Sequence, residues 1–195
     1  GKYGGLGALI FAFFLAHMAG QALPAVWTFF TIEMYEWNEA QVGYSLTFVG
    51  LLVALVQGGL IRVFVNQFGQ KKTIIIGFTL WSIGMLLFAL AHTSWMLYLF
   101  LIPYALGGVA GPTLQGLLST QVSDKEQGNL QGALTSMISL TTIIGPAIAT
   151  FIFYKFTGDN APIYFPGAPY LVGAPFMMMS TILVIISLRR MNISD

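Results

Sequence analysis

Five stretches of this chain contain no Asp, Glu, Lys or Arg: residues 3–32, 40–61, 73–123, 127–154 and 160–188. A bilayer-crossing helix needs about 20 consecutive, mostly apolar residues, so each stretch holds at least one crossing. The stretch 73–123 is too long for one and divides at His92-Thr93-Ser94, a polar turn. The pattern predicts an all-α membrane protein with six transmembrane helices, at about 6–35, 41–65, 73–91, 95–122, 127–154 and 170–188, in a single domain over 1–195. Only 8% of the residues are charged and the mean hydropathy is +0.79, whereas soluble domains carry roughly a quarter charged residues. The lipid bilayer is therefore the chain's solvent and first partner. The opening apolar run is too long for a signal-peptide core and lacks a small-x-small cleavage context, so it is expected as a retained helix.

Six crossings put both termini and the even loops on one side. That side collects Lys2, Arg62, Lys71, Lys72, Lys125, Arg189 and Arg190, against Lys155 alone on the other. The positive-inside rule then places both termini in the cytoplasm of a multi-pass protein of the plasma (inner) membrane. Trp37 and Tyr35, in the acidic loop E-M-Y-E-W-N-E, suit the interfacial aromatic belt.

Several helices carry polar residues on one face. His17, Gln21, Pro24, Thr28 and Thr31 follow each other by three or four residues in the first helix, a spacing that shares a face. Pro24 is expected to kink that helix and free the Gly20 carbonyl. In the second helix Gln57 is the strongly polar member of a small-residue face. The fourth carries Pro103, Pro112, Gln115 and Ser119, with Gly107 and Gly111 as a G-x-x-x-G pair for close helix contact. In the fifth, Gln131, Thr135, Ser139, Thr142 and Pro146 form one stripe. The third helix is plain, with Thr79, Trp81 and Ser82 between Gly77 and Gly84. Two readings of the polar faces stay open: they line a cavity for a solute, or they hydrogen-bond between helices at about 0.6 kcal/mol per pair. His17 is either a proton shuttle or a hydrogen-bonded packing residue. Met177, Met178 and Met179 either form an adaptable wall or face lipid.

No nucleophile with a base, no metal-ligand spacing around His17 or His92 and no phosphate-cradling loop is present. G-G-V-A-G lies inside an apolar run. The chain is therefore expected to be no enzyme, with no metal and no cofactor. A net charge of +1 and the absence of cysteine argue against a nucleic-acid partner and exclude disulfides.

Taken together, G-Q-A-L-P-A-V-W (20–27), W-N-E-A-Q-V-G-Y-S-L (37–46), P-T-L-Q-G-L-L-S-T-Q-V (112–122), Q-G-N-L-Q-G (127–132) and I-G-P (144–146) resemble one half of a major facilitator superfamily transporter. The nearer likeness is to the C-terminal half of the tetracycline/proton antiporter type of drug exporter, over nearly the whole chain. N-Q-F-G-Q-K-K (66–72) resembles the superfamily's loop signature G-x-x-x-D-R-x-G-R-K in decayed form. Gly69 and Lys71 match and Lys72 follows, while Asn66, Gln67 and Gln70 replace Asp, Arg and Arg, and Arg62 replaces the first Gly. Val53 and Trp81 stand where the tetracycline exporters tend to carry a His and an Asp, which points away from tetracycline as substrate.

The resemblance implies two inverted three-helix repeats, with helices 1, 2, 4 and 5 lining a cavity and helices 3 and 6 packed outside. The candidate cavity residues are then His17, Gln21, Trp27, Gln57, Gln115, Gln131, Thr135 and Ser139, with kinks at Pro24, Pro103, Pro112 and Pro146. It further implies a proton-coupled exporter of a small amphipathic solute or drug, working by alternating access. The missing N-terminal six-helix half is its partner, and this chain is not competent alone. The competing class is a six-helix channel or scaffold acting as a homodimer, although no filter-like loop or charged ring marks a channel.

Overall fold

The computed structural model describes the backbone of residues 2–191 and the side chains of 5–191. The Lys2 side chain, counted above among the basic residues, lies outside the described residues. Every element is helical: α1 (Lys2–Gly20), α2 (Ala22–Tyr35), α3 (Glu39–Leu55), a π-helical turn (Val56–Leu60), α4 (Ile61–Ala89), α5 (Ser94–Gly107), α6 (Ala110–Ser119), α7 (Gln127–Thr157) and α8 (Ala168–Met191). Five continuous stretches are long and apolar enough to cross a membrane: Gly5–Tyr35, Glu39–Ala89, Ser94–Ser119, Gln127–Thr157 and Ala168–Met191.

Proline chemistry explains two of the breaks. Pro has no N–H, so the carbonyl four residues earlier loses its helical donor. The first helix, expected over 6–35 as one piece, separates into α1 and α2 at Gln21, whose N–H turns back to the Met18 carbonyl at 3.3 Å. The helix expected over 95–122 separates at Gly108 and Val109, whose N–H groups reach the Ala105 and Leu106 carbonyls at 2.9 and 3.2 Å. Each break lies three or four residues before a proline, Pro24 or Pro112. Pro103 and Pro146 do not interrupt α5 and α7.

The basic segment 66–72, expected as a loop, contracts to a single non-helical residue inside α4. That residue is Gly69, at φ 76 and ψ 164, a conformation open at low cost only to glycine. At the start of α3, Asn38 and Gln41 form a reciprocal capping box with bonds of 3.0 and 2.9 Å, which satisfies two orphan donors.

The second half of α4 is the centre of the packing, against α5, α6 and α8. Glycines permit that approach: a Cβ at Gly77 would stand 2.7 Å from the Ala110 Cβ, one at Gly84 2.8 Å from the Tyr104 Cα, and one at Gly107 2.8 Å from the Trp81 Cα. Gly111, expected to act with Gly107, meets nothing within 4 Å among the described residues. α1 runs antiparallel to α8. The Ser180 hydroxyl donates to the Ala12 carbonyl at 2.6 Å, and Gly5 packs on Met191, so the start of the first span and the end of the last adjoin.

An aromatic cluster of Trp27, Phe30, Phe88, Tyr104 and Tyr170 fills the middle, with ring centroids 5.1–6.5 Å apart. The buried Trp27 indole donates to the Ser45 hydroxyl at 2.9 Å, and Ser45 donates on to the Val42 carbonyl at 2.7 Å. Ser45→Ala would leave that N–H without an acceptor at a cost of about 1–3 kcal/mol. Thermal melts of Ser45→Ala, Trp27→Phe and the double variant should be markedly non-additive. Additive losses would mean that the two groups are not bonded.

Two helices leave apolar faces uncovered. On α3, Tyr44 and Leu55 are 69% and 65% exposed, and on α7, Ile143 and Phe151 are 74% and 67% exposed. In a membrane such faces meet lipid or another protein surface.

Candidate functional site

A cavity of about 400 Å³ lies among α1, α3, the π turn, α4, α5 and α6. The two proline breaks and the π turn surround it. Gly108 and Pro112 come from the α5–α6 break, Leu23 from just beyond the α1–α2 break, and Val56 and Gln57 from the π turn. Phe13, Val49, Val53 and Ala105 complete its apolar wall, and Gly111 leaves a space that a larger side chain would fill.

Five polar side chains reach it: His17, Gln57, Trp81, Tyr104 and Gln115. None of the lining residues is charged. The His17 Nδ1 donates to the Phe13 carbonyl at 2.9 Å, and its ring lies on that of Phe13 with centroids 4.0 Å apart. Its Nε2 is left as an acceptor, because the bond made by one ring nitrogen fixes the role of the other. The Gln57 amide has no partner among the described residues. Trp81 and Tyr104 meet edge to face, at 5.8 Å and 85°, and the Trp81 indole N–H finds no acceptor in hydrogen-bond geometry among the described residues.

Gln115 is tied to α7. Its Nε2 donates to the Gln131 Oε1 at 2.9 Å, the Gln131 Nε2 donates to the Ser119 hydroxyl at 3.0 Å, and Ser119 donates to the Gln115 carbonyl at 3.1 Å. Gln127 adds a bond from its amide to the Ser119 carbonyl. The four residues close a ladder between α6 and α7 that fixes the Gln115 rotamer.

The candidates read from the sequence therefore separate. His17, Gln57, Gln115 and Pro112 come together at the cavity, and Gln131 stands one hydrogen bond behind it. Gln21 instead packs its Cβ and Cγ on Gly145 of α7, Trp27 is 1% exposed within the aromatic cluster, and Thr135 and Ser139 are exposed on α7. Gly69 and Lys71 are half-buried and Lys72 is exposed at the α4 break, away from the cavity. Trp81 belongs to the helix expected to pack outside, yet it lines the cavity. A tryptophan deep in a span is uncommon beside those at the interface, and with Gly77 and Gly84 flanking it that was the available signal.

The arrangement suits binding of an uncharged, partly polar body. It holds no carboxylate to pair with a base, and no group of three His, Cys, Asp or Glu side chains placed to hold a metal ion occurs among the described residues.

The family model described as Major Facilitator Superfamily matches residues 9–193. The chain is 39% identical over 146 residues to the class C tetracycline resistance protein of Escherichia coli, covering 75% of this chain and 37% of that protein. It is 36% identical over 175 residues to the class G protein of Vibrio anguillarum, covering 89% and 44% respectively, and 38% identical over 168 residues to the class D protein of Salmonella ordonez, covering 86% and 41%. It spans about two-fifths of the length of these relatives. Among solved structures, the POT family transporter PepTSo shares the fold with a TM-score of 0.74 over 95% of this chain and 37% of that one, at 16% identity. With a family model matched over nearly its whole length, and with membrane transporters rather than enzymes as its relatives, the chain belongs to the Major Facilitator Superfamily.

Proposed function

We propose that this chain is the C-terminal, six-crossing half of a proton-coupled exporter of a small amphipathic solute. The observation that carries the reading is the uncharged cavity into which His17, Gln57 and Gln115 project from separate helices, in a chain that matches only two-fifths of its relatives' length.

Six crossings are supported by two facts. Glu39–Ala89 contains 51 residues, about 76 Å of helix at about 1.5 Å per residue, more than twice the ~30 Å of the hydrocarbon core. It divides at Gly69 into two stretches of spanning length. The adjoining of Gly5 and Met191 also supports an even number of crossings. The distribution of basic residues supports cytoplasmic termini, and with them a place in the plasma (inner) membrane.

The proline breaks support two inverted triplets, since Pro24 and Pro112 interrupt the first helix of each. Six-helix repeats of such transporters enclose the solute near the midplane and rock about it. The uncovered faces of α3 and α7 would meet the second half. The cavity lining here offers His17 and Tyr104 as its titratable groups and no carboxylate, so the carboxylates that couple to protons belong to that other half. Val53 and Trp81, both in the lining, favour a substrate other than tetracycline.

Gln57→Ala and Gln115→Ala in the intact protein are expected to lower solute transport about 2- to 10-fold, equivalent to the ~0.5–1.5 kcal/mol of a hydrogen bond, at unchanged membrane abundance. Transport assayed in inverted vesicles measures this. Unchanged rate and affinity in both variants would remove the cavity assignment.

A further inference from the structure

We propose that the recess between the last turns of α2 and α7 is a second ligand site, which takes the ammonium group of an organic cation through Glu33 and three aromatic rings. The recess measures about 350 Å³ and is walled by Phe29, Ile32 and Glu33 from α2 and by Phe153, Tyr154 and Thr157 from α7. It is separate from the central cavity, shares no residue with it, and does not depend on the transport reading.

Phe29 and Glu33 stand four residues apart on one face of α2. The Phe29 ring lies 6.2 Å from that of Phe153 and 6.1 Å from that of Tyr154, and the latter two are 5.7 Å apart. Phe153 is buried, at 3% exposure, and forms the floor, while Phe29 at 44% and Tyr154 at 55% keep ring surface open. The Glu33 carboxylate is held from the α7–α8 connection by Tyr164, whose hydroxyl donates to its Oε1 at 2.8 Å. Burial, then the adjoining Glu33 carboxylate, pushes the Tyr164 phenol above its ordinary pKa, so it stays a donor at neutral pH. No lysine or arginine lines the recess, and Glu33 forms no ion pair among the described residues.

A lone carboxylate would attract any cation. Aromatic faces add attraction for a cation that sheds water easily, which favours alkylated ammonium over sodium or a lysine side chain. Ile32 offers an apolar wall for the attached chain. Both contributing spans, Gly5–Tyr35 and Gln127–Thr157, end here, which sets the recess at the level of the membrane surface. The ammonium can therefore arrive on a dissolved solute or on the headgroup of a bilayer lipid.

Choline and its uncharged carbon isostere 3,3-dimethyl-1-butanol separate charge recognition from shape. The intact protein in a neutral detergent is expected to bind radiolabelled choline saturably, without competition from the isostere. Glu33→Gln, which keeps an acceptor for Tyr164, should weaken choline about fivefold, and Phe29→Leu and Tyr154→Leu about two- to fivefold each, with unchanged melting profiles. In nanodiscs of phosphatidylglycerol the binding should persist. Its loss in nanodiscs of phosphatidylcholine would assign the site to the lipid headgroup, and its retention there to a dissolved cation. Equal binding of the isostere, indifference to Glu33→Gln, or no saturable binding in detergent and phosphatidylglycerol alike would overturn the proposal.

Discussion

Gly84→Val is expected to abolish the folded protein. A Cβ at Gly84 falls 2.7 Å from the Tyr104 Cβ, 2.8 Å from its Cα and 2.9 Å from its backbone nitrogen. Two of these obstacles are main chain, so no rotamer change relieves them and α4 must move away from α5. α4 cannot do so alone, because it also packs on α6 and α8. Gly77 meets Ala110 and Gly107 meets Trp81 in the same close manner, so separation at one level strains the others. Overpacking a core ordinarily costs about 1–3 kcal/mol, and obstruction by backbone places this variant above that range, against a total stability of about 5–15 kcal/mol. Size-exclusion chromatography of the solubilised protein should show loss of the monodisperse peak. Gly50→Ala, with nothing within 4 Å of its Cβ among the described residues, should elute and melt like the parent. A Gly84→Val protein that melts within a few degrees of the parent would refute the contact.

These glycines show how far the sequence could be read. Gly77 and Gly84 stood out as close-packing positions because nothing else in an apolar helix calls for glycine, and the proline breaks followed from a missing N–H. Gly107 and Gly111 show the limit. Their spacing is that of a contact pair, but Gly108 and Val109 break the helix between them, so the two no longer share a face. The segment 66–72 looked like a loop from its Asn, Gln and Lys content; those residues tolerate helix, and only Gly69 leaves it. Polarity at depth singles out His17, Gln57 and Gln115, and the three line one cavity. The same criterion puts Gln21 beside them and the family resemblance adds Trp27, where the structure instead packs Gln21 on Gly145 and buries Trp27 against Ser45. Trp81 is not among the expected cavity residues because the helix that carries it is expected to pack outside, and its inward position depends on Gly107 letting α5 approach its backbone. The π turn was not legible, since V-Q-G-G-L fits an α-helix equally well.

That turn leads to the second large expected effect: deleting Gly58 should leave the protein folded and reduce solute transport about 10- to 100-fold. A π-helical turn accommodates one residue more than an α-helical turn. Removing a residue from Val56–Leu60 lets the backbone bonds close as α-helix while α3 and the start of α4 keep their facing. Val56 is 3% exposed and packs 3.8 Å from the position of a Gly108 Cβ, so it anchors the turn against the α5–α6 break. Gln57, next along, is the residue whose direction the extra residue sets. In a regular helix its amide would leave the position opposite His17 and Gln115, and displacements of about 1 Å at a binding centre can cost about 100-fold. Gly58→Ala separates shape from bulk: nothing stands within 4 Å of its Cβ among the described residues, so transport should be near that of the parent. Transport rates in inverted vesicles, set beside melting curves of the same preparations, distinguish the outcomes. A deletion variant that is folded and fully active would show that the π turn does not serve the cavity. One that no longer folds would show that the extra residue is needed for the packing of α3 against α5, and the role of Gln57 would then rest on Gln57→Ala alone.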